Sequence, residues 1–230
     1  MTPISVLTLT YNRYEILQEA LQSFVLQGAD DCEMIIINDQ AEVDYVCHIP
    51  NVRIFNVKTR FPSIFDKILF GFQQAKNEHV YRLDDDDLLA EDNLKVCQHC
   101  ITDNPGYDVY RSKEVQFTTN TTYMGLFGSV NNGNIFTKKY VASLGKKQLS
   151  VNEDQYMLFD GQPRVYTFDF PSMIYRWGMG TYHISGMSIT DPAEVNNRTD
   201  KFGPMEKGTI RLEPKWKTNY YEIVKGVANG

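Results

Sequence analysis

Glu33-Met34-Ile35-Ile36-Ile37-Asn38 is the segment that most restricts how this chain can fold. Four consecutive apolar side chains leave no face for solvent, so a strand here must be covered on both sides. That is the condition of a parallel strand, whose crossover helices lie on both faces of its sheet. The surrounding segments agree. Ile4 to Thr10 is a β-branched apolar strand, and Asn12 is expected to cap a helix with Ile16, Leu17, Ala20, Leu21, Phe24 and Val25 facing inward. Val52 to Val57 reads as a third strand, Ser63 to Lys76 as a helix, His79 to Leu83 as a strand, and Glu91 to Thr102 as a helix. The order β-α-β-β-α-β-α predicts an α/β protein with a mostly parallel central sheet, right-handed crossovers, and ligands bound beyond the carboxyl ends of the strands.

One of those strand ends carries an unusual charge. Asp84-Asp85-Asp86-Asp87 follows directly on Arg82-Leu83. Four adjacent carboxylates repel one another, and a divalent cation is the simplest partner that makes the run favourable. Oxygen-only ligands select Mg²⁺ or Mn²⁺, usually completed by substrate phosphates. Capping of the next helix needs only one carboxylate, so it does not account for four. Asn38-Asp39 and Thr10-Tyr11-Asn12 fall at two other strand ends, placing three polar clusters around one crevice.

The second half reads differently. Tyr107 to Thr122 alternates as antiparallel strands or a hairpin, and Gly125 to Gly133 reads as a loop near substrate. Asn134 to Thr137 is a short strand, Lys138 to Leu144 a short helix, and Ser150-Val151-Asn152-Glu153 a capping box opening a helix to Phe159. Strands are expected at Arg164 to Phe168 and Met173 to Trp177, and the polar tail after Asp200 as a lid or arm. A formal net charge of −6 argues against a general nucleic-acid binder. No apolar run reaches the roughly 20 residues that span a bilayer, and no targeting pattern is visible, which leads to the expectation of a cytoplasmic protein. Cys97 and Cys100 share a helix face and read as packed thiols rather than zinc ligands.

Three of these elements, in this order and spacing, resemble the family 2 glycosyltransferases of the GT-A fold. Ile4 to Arg13 looks like the family's first strand and nucleotide-contact turn. Ile36-Ile37-Asn38-Asp39 looks like its second-strand acidic pair, with Asn38 in place of the first aspartate. Leu83 to Asp87 looks like its metal-binding DxD segment, Asp84-x-Asp86. Asn152-Glu153-Asp154-Gln155 resembles the pair whose aspartate acts as base in inverting members, and Tyr175-Arg176-Trp177 with His183 resembles the closing segment. Two features depart from the pattern: Leu69 stands where the family usually has asparagine, and no Gln-x-x-Arg-Trp motif is present, which argues against a polysaccharide synthase.

The resemblance implies a nucleotide-diphosphate sugar donor, a UDP-sugar foremost, and a GT-A (nucleotide-diphospho-sugar transferase) fold with a smaller antiparallel sheet on the acceptor side. It implies Asp86 and Asp84 as metal ligands with His183 as a further one, for Mn²⁺ or Mg²⁺. Thr8, Thr10, Tyr11 and Asp39 would meet base and ribose, Arg60 or Arg176 the diphosphate, and Asp84 and Asp85 the nucleotide beside the metal. Asp154 would be the general base. The chain is expected to be a single domain, with a nucleotide-binding half over 1–104, an acceptor-side half over 105–200 and a C-terminal arm or lid over 201–230. The acceptor stays open among glycan, protein, small molecule and modified nucleic-acid base. Two other readings stay beside this one. A nucleotidyltransferase of related fold should carry a glycine-rich loop after the first strand, which Thr10 to Tyr14 lacks. A non-catalytic sugar-binding domain would not need the aspartate run.

Overall fold

The computed structural model describes residues 1–150, 152–177 and 206–228. Its core is a seven-stranded sheet. Strands β1 (Ile4–Thr10), β2 (Glu33–Asn38), β4 (Val52–Asn56) and β5 (His79–Arg82) run parallel at one side, in the order β5-β1-β2-β4. Beyond β5 the sheet continues through β10 (Ile135–Thr137), antiparallel to both neighbours, to β7 (Val109–Ser112) and β11 (Val165–Phe168). β2 is buried along its whole length, as its isoleucine run requires.

Alternation of side chains divides the interior into two layers. Ile4, Val6, Met34 and Ile36 face helices α1 (Tyr14–Val25) and α3 (Asn93–Asp103), meeting Leu17, Leu21, Phe24, Leu94 and Cys97. Leu7, Ile35, Ile37 and Val80 face α2 (Ile64–Gln74) and α4 (Lys138–Ser143), meeting Phe65, Ile68, Phe72 and Val141. α2 lies so close to β1 that a Cβ on Gly71 would fall 2.4 Å from Leu7 Cδ1. Ser63 caps α2 by accepting a hydrogen bond from Asp66 N at 3.1 Å, and Thr137 caps α4 the same way from Tyr140 N.

A second sheet orders β6 (Leu88–Leu89), β12 (Met173–Trp177), β8 (Glu114–Thr119) and β9 (Thr122–Gly128), antiparallel except for the β12–β8 pair. The expected hairpin over Tyr107 to Thr122 is therefore split. β7 joins the large sheet, and the true hairpin is β8–β9, turning at Asn120 with φ 51°. Gly125 to Gly128, read as loop, belongs to β9.

Other differences are local. Asn12 does not cap α1: it sits at φ 51°, and Arg13 occupies the cap position. The expected capping box at Ser150 does not form. Asn152, at φ 60°, precedes a single turn, α5 (Glu153–Gln155), which widens into a π-helical turn over Tyr156–Asp160. Strand β3 (Val43–Val46) was not foreseen, nor was its parallel partner β13 (Gly208–Arg211) in the tail. The tail ends in α6 (Tyr220–Ala228), whose Tyr220 is fully buried against Leu88 and Ile174. No helix among the described residues is long and apolar enough to cross a membrane.

Candidate active site

Because β1, β2, β4 and β5 are parallel, their carboxyl ends share one edge of the sheet. The acidic run leaves that edge from β5 as a tight turn, in which Asp87 N donates to Asp84 O at 3.2 Å. Asp85, Asp86 and Asp87 are buried, whereas the Asp84 side chain is 37% exposed. Burial of like charges needs compensation, and the surrounding chain supplies it. Arg13, at the start of α1, spans Asp85 Oδ1 at 3.0 Å and Asp86 Oδ2 at 2.6 Å. Asn132 donates to Asp84 at 3.0 Å and to Asp87 at 2.7 Å, and the Arg176 backbone N–H donates to Asp87 at 2.9 Å.

The compensation is partial. Burial, opposed by Arg13 and reinforced by Asp86, pushes the Asp85 carboxyl up to about 6. Burial, with Asp86 and Asp84 adding to it, holds Asp87 well above the carboxylate range. A cluster in this condition favours an added cation. Among the described residues, Asp84, Asp86 and Asp87 offer oxygens that all lie within 4.8 Å of one another. Hard carboxylate donors in this number fit Mg²⁺ or Mn²⁺ with positions left for phosphate oxygens. Asp87 thus joins the expected Asp84 and Asp86, while Asp85 is turned to Arg13.

The residues expected to meet the nucleotide fall into two groups, with Thr8 apart from both. Tyr11 and Arg60 meet directly, the guanidinium carbon standing 4.0 Å from the ring centroid. Asp39 and Thr10 are joined by Lys67, whose Nζ donates to Asp39 Oδ1 at 2.6 Å and to the Thr10 carbonyl at 2.7 Å. The other Asp39 oxygen accepts from Phe61 N at 3.2 Å. Thr8 is fully buried on the same face of β1 as Val6. Asn38 explains its own departure from the family pattern: its Nδ2 donates to the Val43 carbonyl and to Asn56 Oδ1, which an aspartate cannot do.

Asp154 stands on α5 facing the acidic turn. Its Oδ1 lies 3.8 Å from Arg82 Nη2, and its side chain is 18% exposed. Burial first, then Glu153 beside it, raises the Asp154 carboxyl well above its ordinary range, with Arg82 opposing. Arg176 does not reach a crevice. It is fully buried, donating from Nη1 to Glu19 and from Nε to the Asp86 carbonyl, with its guanidinium 5.2 Å from the Tyr220 ring. The expectation that it meets a diphosphate is corrected accordingly: it clamps the acidic turn to α1. His183 lies outside the described residues.

The family model for glycosyl transferase family 2 matches residues 5–150, and the chain belongs to that family. No curated protein matches it in sequence. Among solved structures, S. aureus TarS 1-349 in complex with UDP-GlcNAc is similar over 86% of this chain and 64% of its own, at 16% identity and a TM-score of 0.64. A crystal structure of S. aureus TarS 1-349 gives 76%, 60%, 16% and 0.58. The mannosyltransferase PcManGT from Pyrobaculum calidifontis, in complex with GDP-Man and Mn²⁺, is similar over 75% and 56%, at 14% identity and 0.52. This chain therefore spans less than two thirds of each of these proteins. At such identities the likeness is one of fold, and the fold is GT-A.

Arg13, Lys67, Arg82 and Asn132 were not singled out as site residues from the sequence. All four lie inside segments read as strand, helix, turn or loop, but each meets a carboxylate at least 28 positions away, a pairing that local pattern does not reveal.

Proposed function

We propose that the crevice binds a UDP-sugar with Mn²⁺ or Mg²⁺ and transfers the sugar, with inversion, to an acceptor hydroxyl. The observation that carries this reading is the placing of two acidic stations on either side of Arg82, the Asp84–Asp87 turn 3.1 Å away and Asp154 3.8 Å away. Neighbours of the same fold bound to UDP-GlcNAc, and to GDP-Man with Mn²⁺, support the class of donor.

In this reading Asp84, Asp86 and Asp87 would hold the cation, which when bound would offset negative charge on the leaving diphosphate. Arg13 keeps Asp86 in place from the opposite side. Tyr11 and Arg60 form the wall against the nucleotide, and Asp39, set by Lys67, borders the base. Asp154 takes the acceptor hydroxyl's proton as that oxygen bonds to the anomeric carbon, and the pair from the breaking glycosidic bond goes to the diphosphate. Burial raises the Asp154 carboxyl, which makes its ionised form a stronger proton acceptor. Residues 1–104 serve the donor, 105–200 the acceptor, and 201–230 form an arm or lid.

The test is a panel of UDP- and GDP-sugars, with and without Mn²⁺, read by thermal unfolding. At about 100 times Kd, a binding nucleotide should raise Tm by about 5 to 10 °C in a chain of this size. Asp86→Asn should abolish the Mn²⁺-dependent part. A flat response to every nucleotide with metal would defeat the reading.

A further inference from the structure

One buried charge has no task in the mechanism above. Arg82 ends β5, is 2% exposed, and has a fixed root: its N–H donates to the Asn134 carbonyl and its own carbonyl accepts from Gly133 N, both at 2.9 Å. Its Nη2 faces Asp84 Oδ1 at 3.1 Å and Asp154 Oδ1 at 3.8 Å. Nε and Nη1 are buried without a hydrogen-bond partner among the described residues, and so is Asp154 Oδ1. A guanidinium held for packing alone would normally have its buried donors satisfied. Here the group is placed for two carboxylates, one from each end of the site.

We propose that Arg82 is a positioning residue that acts through Asp154, turning Oδ1 inward so that Oδ2 meets the acceptor, and linking this orientation to the state of Asp84. The role rests on the glycosyl-transfer reading. When Asp84 swings from Arg82 toward a cation, Nη2 is released to close the remaining gap to Asp154. The base is thus aimed when the diphosphate end is filled. Burial and Glu153 both drive Asp154 toward its neutral form, and Arg82 is the cation that opposes them. Arginine suits this post because its planar fork addresses two carboxylates at once, whereas an ammonium is a single point of charge.

The experiment compares Arg82→Met, Arg82→Lys, Asp154→Asn and the Arg82→Met/Asp154→Asn double variant with the parent. The first readout needs no ligand. Unfolding midpoints should be non-additive, with Asp154→Asn recovering part of the stability that Arg82→Met loses. The second uses Mn²⁺ with UDP for affinity, and the sugar nucleotide retained by the panel for turnover. Arg82→Met should lower kcat about 100-fold while donor KM moves less than about fivefold, and Arg82→Lys should recover about tenfold of that loss. The double variant should be no slower than Asp154→Asn. Additive midpoints with multiplying rate losses, or a rise in KM at constant kcat, would overturn the role. If Arg82→Met does not fold, the kcat and KM of Arg82→Lys decide it. A parent that binds no UDP with Mn²⁺ overturns the glycosyl-transfer reading itself. A parent that turns over donor and is indifferent to Arg82→Lys overturns Arg82 alone.

Discussion

Lys67 Nζ lies 2.6 Å from Asp39 Oδ1, and both side chains are more than nine-tenths buried. The same ammonium holds the Thr10 carbonyl, so one cation ties together the ends of β1 and β2 and the body of α2. Removing it leaves Asp39 charged and buried, a loss of about 3 to 5 kcal/mol. Lys67→Met should therefore unfold at markedly lower urea, and adding Asp39→Asn should recover much of the difference. A Lys67→Met protein as stable as the parent would contradict the pairing.

Arg176 makes a comparable junction in the second sheet, joining Glu19 on α1 to the Asp86 carbonyl. Arg176→Met should cost about 3 to 5 kcal/mol for the same reason. It should also weaken Mn²⁺ binding, since the acidic turn loses its clamp. Calorimetric titration of the folded fraction separates the two effects.

Gly133 stands at φ 68°, and a Cβ there would fall 2.1 Å from Met173 Sδ. Its neighbour Asn132 carries the bonds to Asp84 and Asp87. Gly133→Ala should destabilise by about 1 to 3 kcal/mol from backbone strain and crowding. Mn²⁺ affinity should fall with it, whereas Gly128→Ala, with open space around its Cβ, should leave affinity alone.

The Asp154 carboxyl is held above its usual range in the folded chain, chiefly by burial. Transfer needs it deprotonated, so the acid limb of the kcat profile should lie above the ordinary carboxylate range, activity falling as pH drops through it. The sign for stability is the reverse. Between the unfolded and folded values the native state binds the extra proton, so this group's contribution declines as pH rises. Asp154→Asn should raise Tm at neutral pH, and the gain should vanish below about pH 4, where the unfolded group is also protonated. Measuring Tm against pH for both proteins decides it.

Legibility in the sequence followed the range of the interactions. The strands at Ile4, Glu33, His79, Ile135, Val165 and Met173 announce themselves through local alternation or continuous apolar runs, and their order implied the parallel sheet. β3 and β13 did not, because Val43–Val46 alternates over four residues and its partner lies some 165 positions away. The capping box at Ser150 was a sound local signal overridden by the left-handed Asn152, from which the chain enters α5. In the site, the aspartates were visible because four together have no ordinary explanation. Lys67 and Arg82 look like any helix lysine or strand-end arginine until folding puts Asp39 and Asp154 beside them.

Arg13 is made before the acidic turn, but the bonds that hold Asp87 come from residues made after it. Asn132 lies 45 positions beyond Asp87, and the Arg176 N–H lies 89 beyond it. As the polypeptide leaves the ribosome, the four aspartates are therefore made well before Asn132 and Arg176, the partners that fix Asp87. The full set of contacts around the acidic turn belongs to the finished chain, and a nascent one carries a patch of negative charge held from Arg13 alone.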